Sequence, residues 1–240
     1  MKTTLITGGL GFIGSNICDS LLQKKYTNKC VLLDNFGGYM NPIKDSFIDF
    51  RKQRFPSLKN IIIERCDTSN YKALSSIISK YKPNYIYHTA ALPLAKVSNL
   101  NNEEAKISSV DSTVNIIDAI NLLKNSNQKF QFDRFVYFSS SMVYGDFKKS
   151  TVTEESEKNP KDAYGIMKLA GEVVTEGLCK LHNIPYTIIR PSAVYGPKDM
   201  NRRVSQIFIE NAFKKQEISI QGKNEKLDFT YIKDLANGSI

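Results

Sequence analysis

Apolar and polar positions along this 240-residue chain follow two alternating rhythms. Short β-branched and aliphatic runs occupy residues 3–7, 30–34, 61–65, 85–88, 135–139 and 186–190. Runs of this length and composition predict strands buried on both faces. Between them lie longer stretches with helical periodicity, starting near Phe12, Lys44, Tyr71, Glu103, Ala163 and Arg202. In the first of these, Ile13, Ile17, Leu21 and Leu22 share one face. Strands alternating with helices predict an α/β fold, a parallel sheet covered by helices on both faces. From about Pro191 the alternation gives way to loops, one helix and a short strand. The pattern therefore divides the chain into a sheet domain at 1–190 and a small lobe at 191–240.

The turn after the first strand reads Thr7-Gly8-Gly9-Leu10-Gly11-Phe12-Ile13-Gly14. Gly9, Gly11 and Gly14 meet the dinucleotide fingerprint literally, and Gly8, Gly11 and Gly14 meet its wider variant. The chemistry calls for glycine in such a turn. The chain must reverse tightly, its backbone must approach a pyrophosphate, and the helix must pack closely on the strand. The amides of Phe12 and Ile13 at the helix start then face the phosphates, aided by the helix dipole. The second strand ends in Asp34, twenty residues past Gly14. An acid there hydrogen-bonds a free ribose 2′-hydroxyl, which favours NAD over NADP. Together these features predict a doubly wound Rossmann sheet, whose ligand lies at the carboxyl ends of the strands.

Composition narrows the classes. The chain is 41% hydrophobic and 24% charged, with no apolar run near the ~20 residues of a membrane span. A strand pattern begins at once, so no signal peptide is expected, and Cys18, Cys30, Cys66 and Cys179 lack paired spacing. Both features predict a cytoplasmic protein without a disulfide framework. The net charge of +9 comes from lysines spread over helices and loops, without an aromatic–basic cluster, so no nucleic-acid partner is expected. Two distant histidines, His88 and His182, make no metal site; His88, ending a strand, reads as structural.

Candidate chemistry follows two later strands. Tyr164 and Lys168 are four residues apart on a predicted helix, so phenol and ammonium point into one site. A cation near a phenol favours the phenolate and makes it a usable base. Residues 139–145, Ser-Ser-Ser-Met-Val-Tyr-Gly, can supply a hydroxyl donor to a forming carbonyl.

These motifs resemble those of the extended short-chain dehydrogenase/reductase family, the nucleotide-sugar epimerases and dehydratases. The likeness runs from Thr4 to the last residue. It includes the glycine loop, Asp34-Asn35, Asp67, His88-Thr89-Ala90-Ala91, Ser139 to Gly145, Tyr164 with Lys168, Val194-Tyr195-Gly196-Pro197 and Asp228-Phe229-Thr230-Tyr231. The resemblance implies that Tyr164 is the acid–base and that Lys168 is its electrostatic partner and a ribose ligand. Ser140 aligns with the catalytic serine or threonine, with Ser141 the alternative. Asp67 and Thr68 would touch the adenine, and Ala90 and Ala91 would line the cofactor groove. A helix pair at about 103–124 and 163–179 would build a homodimer.

The departures discriminate among family reactions. The 4,6-dehydratases carry Asp-Glu directly after the active-site threonine; Ser141-Met142 stand here. That favours C4 epimerisation of a nucleotide-diphosphate sugar through a 4-keto sugar, over dehydration or reduction. Ser109 and Ala193 replace two family asparagines, and Leu227 replaces an arginine that grips the diphosphate. The family's substrate lobe is normally longer. The alternative reading is therefore a truncated, non-catalytic NAD-binding module, which would bind NAD far better than any nucleotide sugar.

Overall fold

The computed structural model describes residues 2–37, 55, 57–92, 101–147, 151–199, 203–220 and 227–240. The expected helix near Lys44 lies outside them. The strands are β1 (Thr3–Thr7), β2 (Lys29–Asp34), β3 (Ile61–Arg65), β4 (Tyr85–His88), β5 (Arg134–Phe138) and β6 (Tyr186–Ile189). The helices are α1 (Phe12–Gln23), α2 (Tyr71–Tyr81), α3 (Asn102–Lys106), α4 (Ser112–Ser126), α5 (Ala163–Leu181), α6 (Val204–Phe213) and α7 (Ile232–Gly238). A π-helical turn, Ile107–Asp111, joins α3 to α4, and a 3-10 turn, Ser141–Tyr144, follows β5.

All strand pairs are parallel, and the order is β3-β2-β1-β4-β5-β6. This is the doubly wound Rossmann order, with its reversal between β1 and β4. Alternate side chains enter two separate cores. Leu5, Val31, Leu33, Ile86, Phe135 and Tyr137 face α2, α4 and α5. Ile6, Leu32, Tyr87, Val136 and Phe138 face α1 and α7. A one-residue slip would exchange the two sets. Each fully buried aliphatic contributes about 1.5–3 kcal/mol, which specifies the register strongly.

Caps set the helix starts. Asn70 accepts from the Ala73 amide ahead of α2, and Asp162 accepts from the Gly165 amide ahead of α5. The latter places Tyr164 in the first turn of α5. Lys124 of α4 donates to the carbonyls of His182 and Asn183 and so covers the carboxyl end of α5.

The lobe segment departs from its sequence pattern. In α7, Ile232, Leu235 and Ala236 pack into the α1-side core. The short strand expected there is a single parallel bridge, Tyr195 to Tyr231. By contrast, α6 buries no residue.

Candidate active site at the carboxyl edge of the sheet

The glycine loop is built as its sequence predicts. Gly8 has φ +63°, and a Cβ on it would lie 2.9 Å from the Ala90 backbone. A Cβ on Gly11 or Gly14 would lie 2.9 or 2.6 Å from the Gly8 carbonyl oxygen. The loop is pinned by Gly11 N–H to Gly8 O at 2.8 Å and Gly9 N–H to Leu33 O at 3.1 Å. No side chain caps the start of α1, so its first amides, including those of Phe12 and Ile13, are not claimed by a protein cap. A helix start of this kind is an anion site when a glycine loop brings phosphate to it.

Asp34 sits at the tip of β2 beside this loop. Its carboxylate accepts from the Leu10 amide at 3.2 Å and the Phe36 amide at 2.9 Å. Asn35 donates to Asp67 at 3.0 Å, and Ser69 donates to it from amide and hydroxyl. Burial raises the Asp67 carboxyl, but these hydrogen bonds outweigh it and hold the group below the usual carboxylate range. The Thr68 side chain is buried, and its carbonyl accepts from Asn115 of α4. The Ala90 amide donates to Thr7 Oγ1 at 3.3 Å, which holds Ala90 and the following Ala91 beside the loop.

The candidate acid–base group, Tyr164, lies across the switch point. Tyr164 is half-buried, and the side chain of Ser140, which accepts from the Met142 amide at 3.2 Å, is one of the groups that favour its phenolate. Ser140, one of the two serines the sequence leaves open, caps the 3-10 turn. The Ser141 amide instead donates to Pro191 O. Gly165 lets this turn pack on α5, because a Cβ there would lie 2.7 Å from Met142 O. Lys168 is buried, and its Nζ donates to Phe138 O at 2.7 Å while lying 5.9 Å from the centre of the Tyr164 ring. Burial pulls its ammonium down to about 8, with partial compensation from Glu172. Burial also pushes the Tyr164 phenol up, against the Arg203 cation and the Ser140 side chain.

Several groups at the site escape the sequence pattern. Arg203, just before α6, is a further cation that favours the Tyr164 phenolate. Arg190, at the end of β6, makes a two-pronged bond to Glu172 of α5, with both contacts at 2.8 Å. Both side chains are largely buried, so removing one partner would strand a charge at a cost of about 3–5 kcal/mol. The available signal was the Lys168–Glu172 spacing of four, which places both on one face of α5. Ser139 Oγ is buried with no protein partner, a polar atom left for a ligand beside Ser140.

His88 is a strut, as its position predicts. Its nitrogens lie 2.7 Å from Thr7 Oγ1 and 3.1 Å from Ser112 Oγ, and burial lowers it to about 3. Among the described residues no cluster of His, Cys, Asp and Glu could hold a metal, and no helix is long and apolar enough to cross a membrane. A cleft of about 510 Å³ between the end of α1 and the amino ends of β2 and β3 lies at the opposite edge of the sheet and holds none of these groups. Volume alone does not locate the chemistry.

The site thus combines a dinucleotide cradle with a Ser–Tyr–Lys set. The model of the NAD dependent epimerase/dehydratase family matches residues 4–240, and the chain belongs to that family. A protein of Methanocaldococcus jannaschii, provisionally assigned as a UDP-glucose 4-epimerase, is 31% identical over 98% of this chain and 72% of its own length. UDP-glucuronate 4-epimerase 1 of Arabidopsis thaliana is 28% identical over 99% of this chain, which spans 54% of that protein. Among solved structures, UDP-glucuronic acid 4-epimerase of Bacillus cereus, in complex with UDP-glucuronic acid and NAD, superposes with a TM-score of 0.83 at 27% identity. That match covers 98% of this chain and 71% of the other. The cradle fits the same cofactor. The three glycines leave no room for a Cβ, and the Asp34 carboxylate stands where a ribose hydroxyl would be read.

Proposed function

We propose that this chain is an NAD-dependent nucleotide-sugar 4-epimerase. The observation that carries the reading is the close packing of the Ser140 turn on the Tyr164 helix, where a Cβ on Gly165 would lie 2.7 Å from Met142 O, at the carboxyl edge of the sheet beside the glycine cradle. Glycine-loop amides and Asp34 hold the dinucleotide, with Asp67, Thr68, Ala90 and Ala91 along its groove. NAD supplies a hydride acceptor that can return the hydride. Tyr164 takes the proton from the sugar 4-hydroxyl, Ser140 donates to the same oxygen as it becomes a carbonyl, and buried Lys168 adds positive charge. After the flat 4-keto sugar turns, Tyr164 gives the proton back. No carboxylic acid follows Ser140; Ser141 and Met142 occupy those places, which supports epimerisation over dehydration.

The sugar lobe is assigned to 191–240, with α7 docked on α1. The partner is a nucleotide-diphosphate sugar, in keeping with the substrates named for the relatives. A cytoplasmic homodimer through α4 and α5 fits the exposed apolar positions Leu122, Ile166 and Val173. Tyr164→Phe keeps the ring and removes the proton acceptor. Turnover of UDP-sugars should fall ~10²–10⁴-fold while NAD stays bound. Wild-type turnover in that variant would refute the assignment.

A further inference from the structure

Arg190 makes more contacts than its pair with Glu172 needs. Its Nη1 also donates to the Tyr144 hydroxyl at 2.8 Å and to the Glu154 carbonyl at 3.2 Å. These bonds bring four pieces of chain to one guanidinium. Glu172 lies on α5, one turn beyond Lys168 and two beyond Tyr164. Tyr144 closes the 3-10 turn that Ser140 opens. Glu154 lies in the segment leading into α5, and Arg190 itself ends the chain run of β6. The turn is closed by its own backbone hydrogen bonds. Val143 N–H reaches Ser140 O, and Gly145 N–H reaches Met142 O, both at 3.3 Å. A pull on Tyr144 is therefore felt at Ser140.

We propose that Arg190 is a positioning residue: through Glu172 and Tyr144 it holds the Ser140 turn against the Tyr164 helix and so sets where the Ser140 hydroxyl stands relative to the Tyr164 phenol. Only a planar fork can serve both partners at once, because two donors go to the carboxylate and a third to the phenol. The proposal rests on the acid–base role given above to Tyr164. The groups that act on that phenol are Ser140 from the turn, Arg203 from the start of α6, and Asp162 from the cap of α5, with Lys168 one turn along the same helix. Among the described residues none of these hydrogen-bonds Arg190, so the route runs through Tyr144 and the turn.

The test uses Tyr144→Phe in the full chain, which leaves the Arg190–Glu172 pair and the ring in place. Two quantities are measured: steady-state turnover of a UDP-sugar, and titration of Tyr164 by NMR of ¹³Cζ-labelled tyrosine, assigned through Tyr164→Phe. The expected result is a fall in kcat of about tenfold, as for a misplaced reacting group. KM and NAD affinity should change by less than about twofold, and the Tyr164 titration should move upward as the phenolate loses part of its donor. Arg190→Lys keeps the charge but not the fork. It should reproduce these changes, and the double variant should be no worse than either single one. Unchanged kcat and titration would overturn the proposal, even with a lower melting temperature. So would a fall in kcat without a shift in the titration, or additive losses in the double variant. If the wild-type chain turns over no sugar, the epimerase reading fails, while the titration still decides the positioning role.

Discussion

His88 Nδ1 lies 2.7 Å from Thr7 Oγ1, which ties the strand that ends at the glycine loop to its neighbour across the switch point. The network assigns every proton in this chain. Ser112 Oγ–H donates to Ser108 O at 2.6 Å, so the same oxygen accepts from His88 Nε2–H. Nδ1 then accepts from Thr7, whose oxygen accepts the Ala90 amide. A neutral imidazole with one tautomer links the cradle, the groove residue Ala90 and the start of α4.

That geometry makes stability depend on pH. Burial lowers His88 to about 3 in the folded chain, against 6.5 for the free side chain. The unfolded state therefore binds the extra proton between these values, and stability present above 6.5 is lost as pH falls toward 3. From pH 6.5 to 5 the loss should be about 2 kcal/mol. Urea unfolding at several pH values should show this slope, and His88→Gln should flatten it.

The glycine cradle predicts a separable loss of cofactor. In Gly14→Ala the new Cβ would sit 2.6 Å from Gly8 O and 3.0 Å from Thr89 Oγ1, so the loop must move away from the helix start. NAD affinity should fall at least about tenfold, or 1.4 kcal/mol, with the far-ultraviolet dichroism unchanged. Calorimetry that finds wild-type affinity would show that close backbone approach is not needed there.

The limits of the sequence pattern have physical causes. The six strands were visible because each is a dense apolar run; β1, β3 and β4 keep their expected bounds, while β2, β5 and β6 differ by one residue, as at β5, where Arg134 pairs although it carries a charge. The glycine loop was visible because its residue type is dictated by space. The Arg190 fork was not, because its partners Tyr144, Glu154 and Glu172 are brought together only by the sheet order. Likewise, α7 reads as part of a separate lobe until Ile232 and Leu235 are seen beside α1. The π turn at Ile107–Asp111 breaks the helix that the pattern starts near Glu103, and no polar or apolar spacing announces it.

Lys168 predicts how cofactor binding varies with pH. Its ammonium is pulled down to about 8 by burial, and in its proposed role as a ribose ligand it would donate from that group. If bound NAD favours the charged form, affinity is greatest below pH 8 and declines as pH rises through it. Titrations from pH 7 to 9.5 should show the decline. Lys168→Met should bind more weakly at pH 7 and lose the pH dependence. A decline that survives in Lys168→Met would assign it to another group.

The last prediction concerns assembly. Ile166, Val173 and Leu181 lie seven and eight residues apart on α5, so they form one stripe on its outer side. They are 49%, 65% and 69% exposed, and Leu122 on the adjoining α4 is 53% exposed. Single exposed apolar side chains are ordinary, but a stripe on two packed helices is the surface a helical dimer would cover. A second copy related by a twofold axis would lay α4 and α5 against their equivalents and remove the stripe from water. Val173→Glu places a charge at its centre without touching either core or the Arg190–Glu172 pair. Sedimentation velocity should show a dimer for the wild type and a monomer for this variant, with NAD binding retained because the cradle lies at the carboxyl edge of the sheet. A wild-type monomer at tens of micromolar would remove α4 and α5 as the interface.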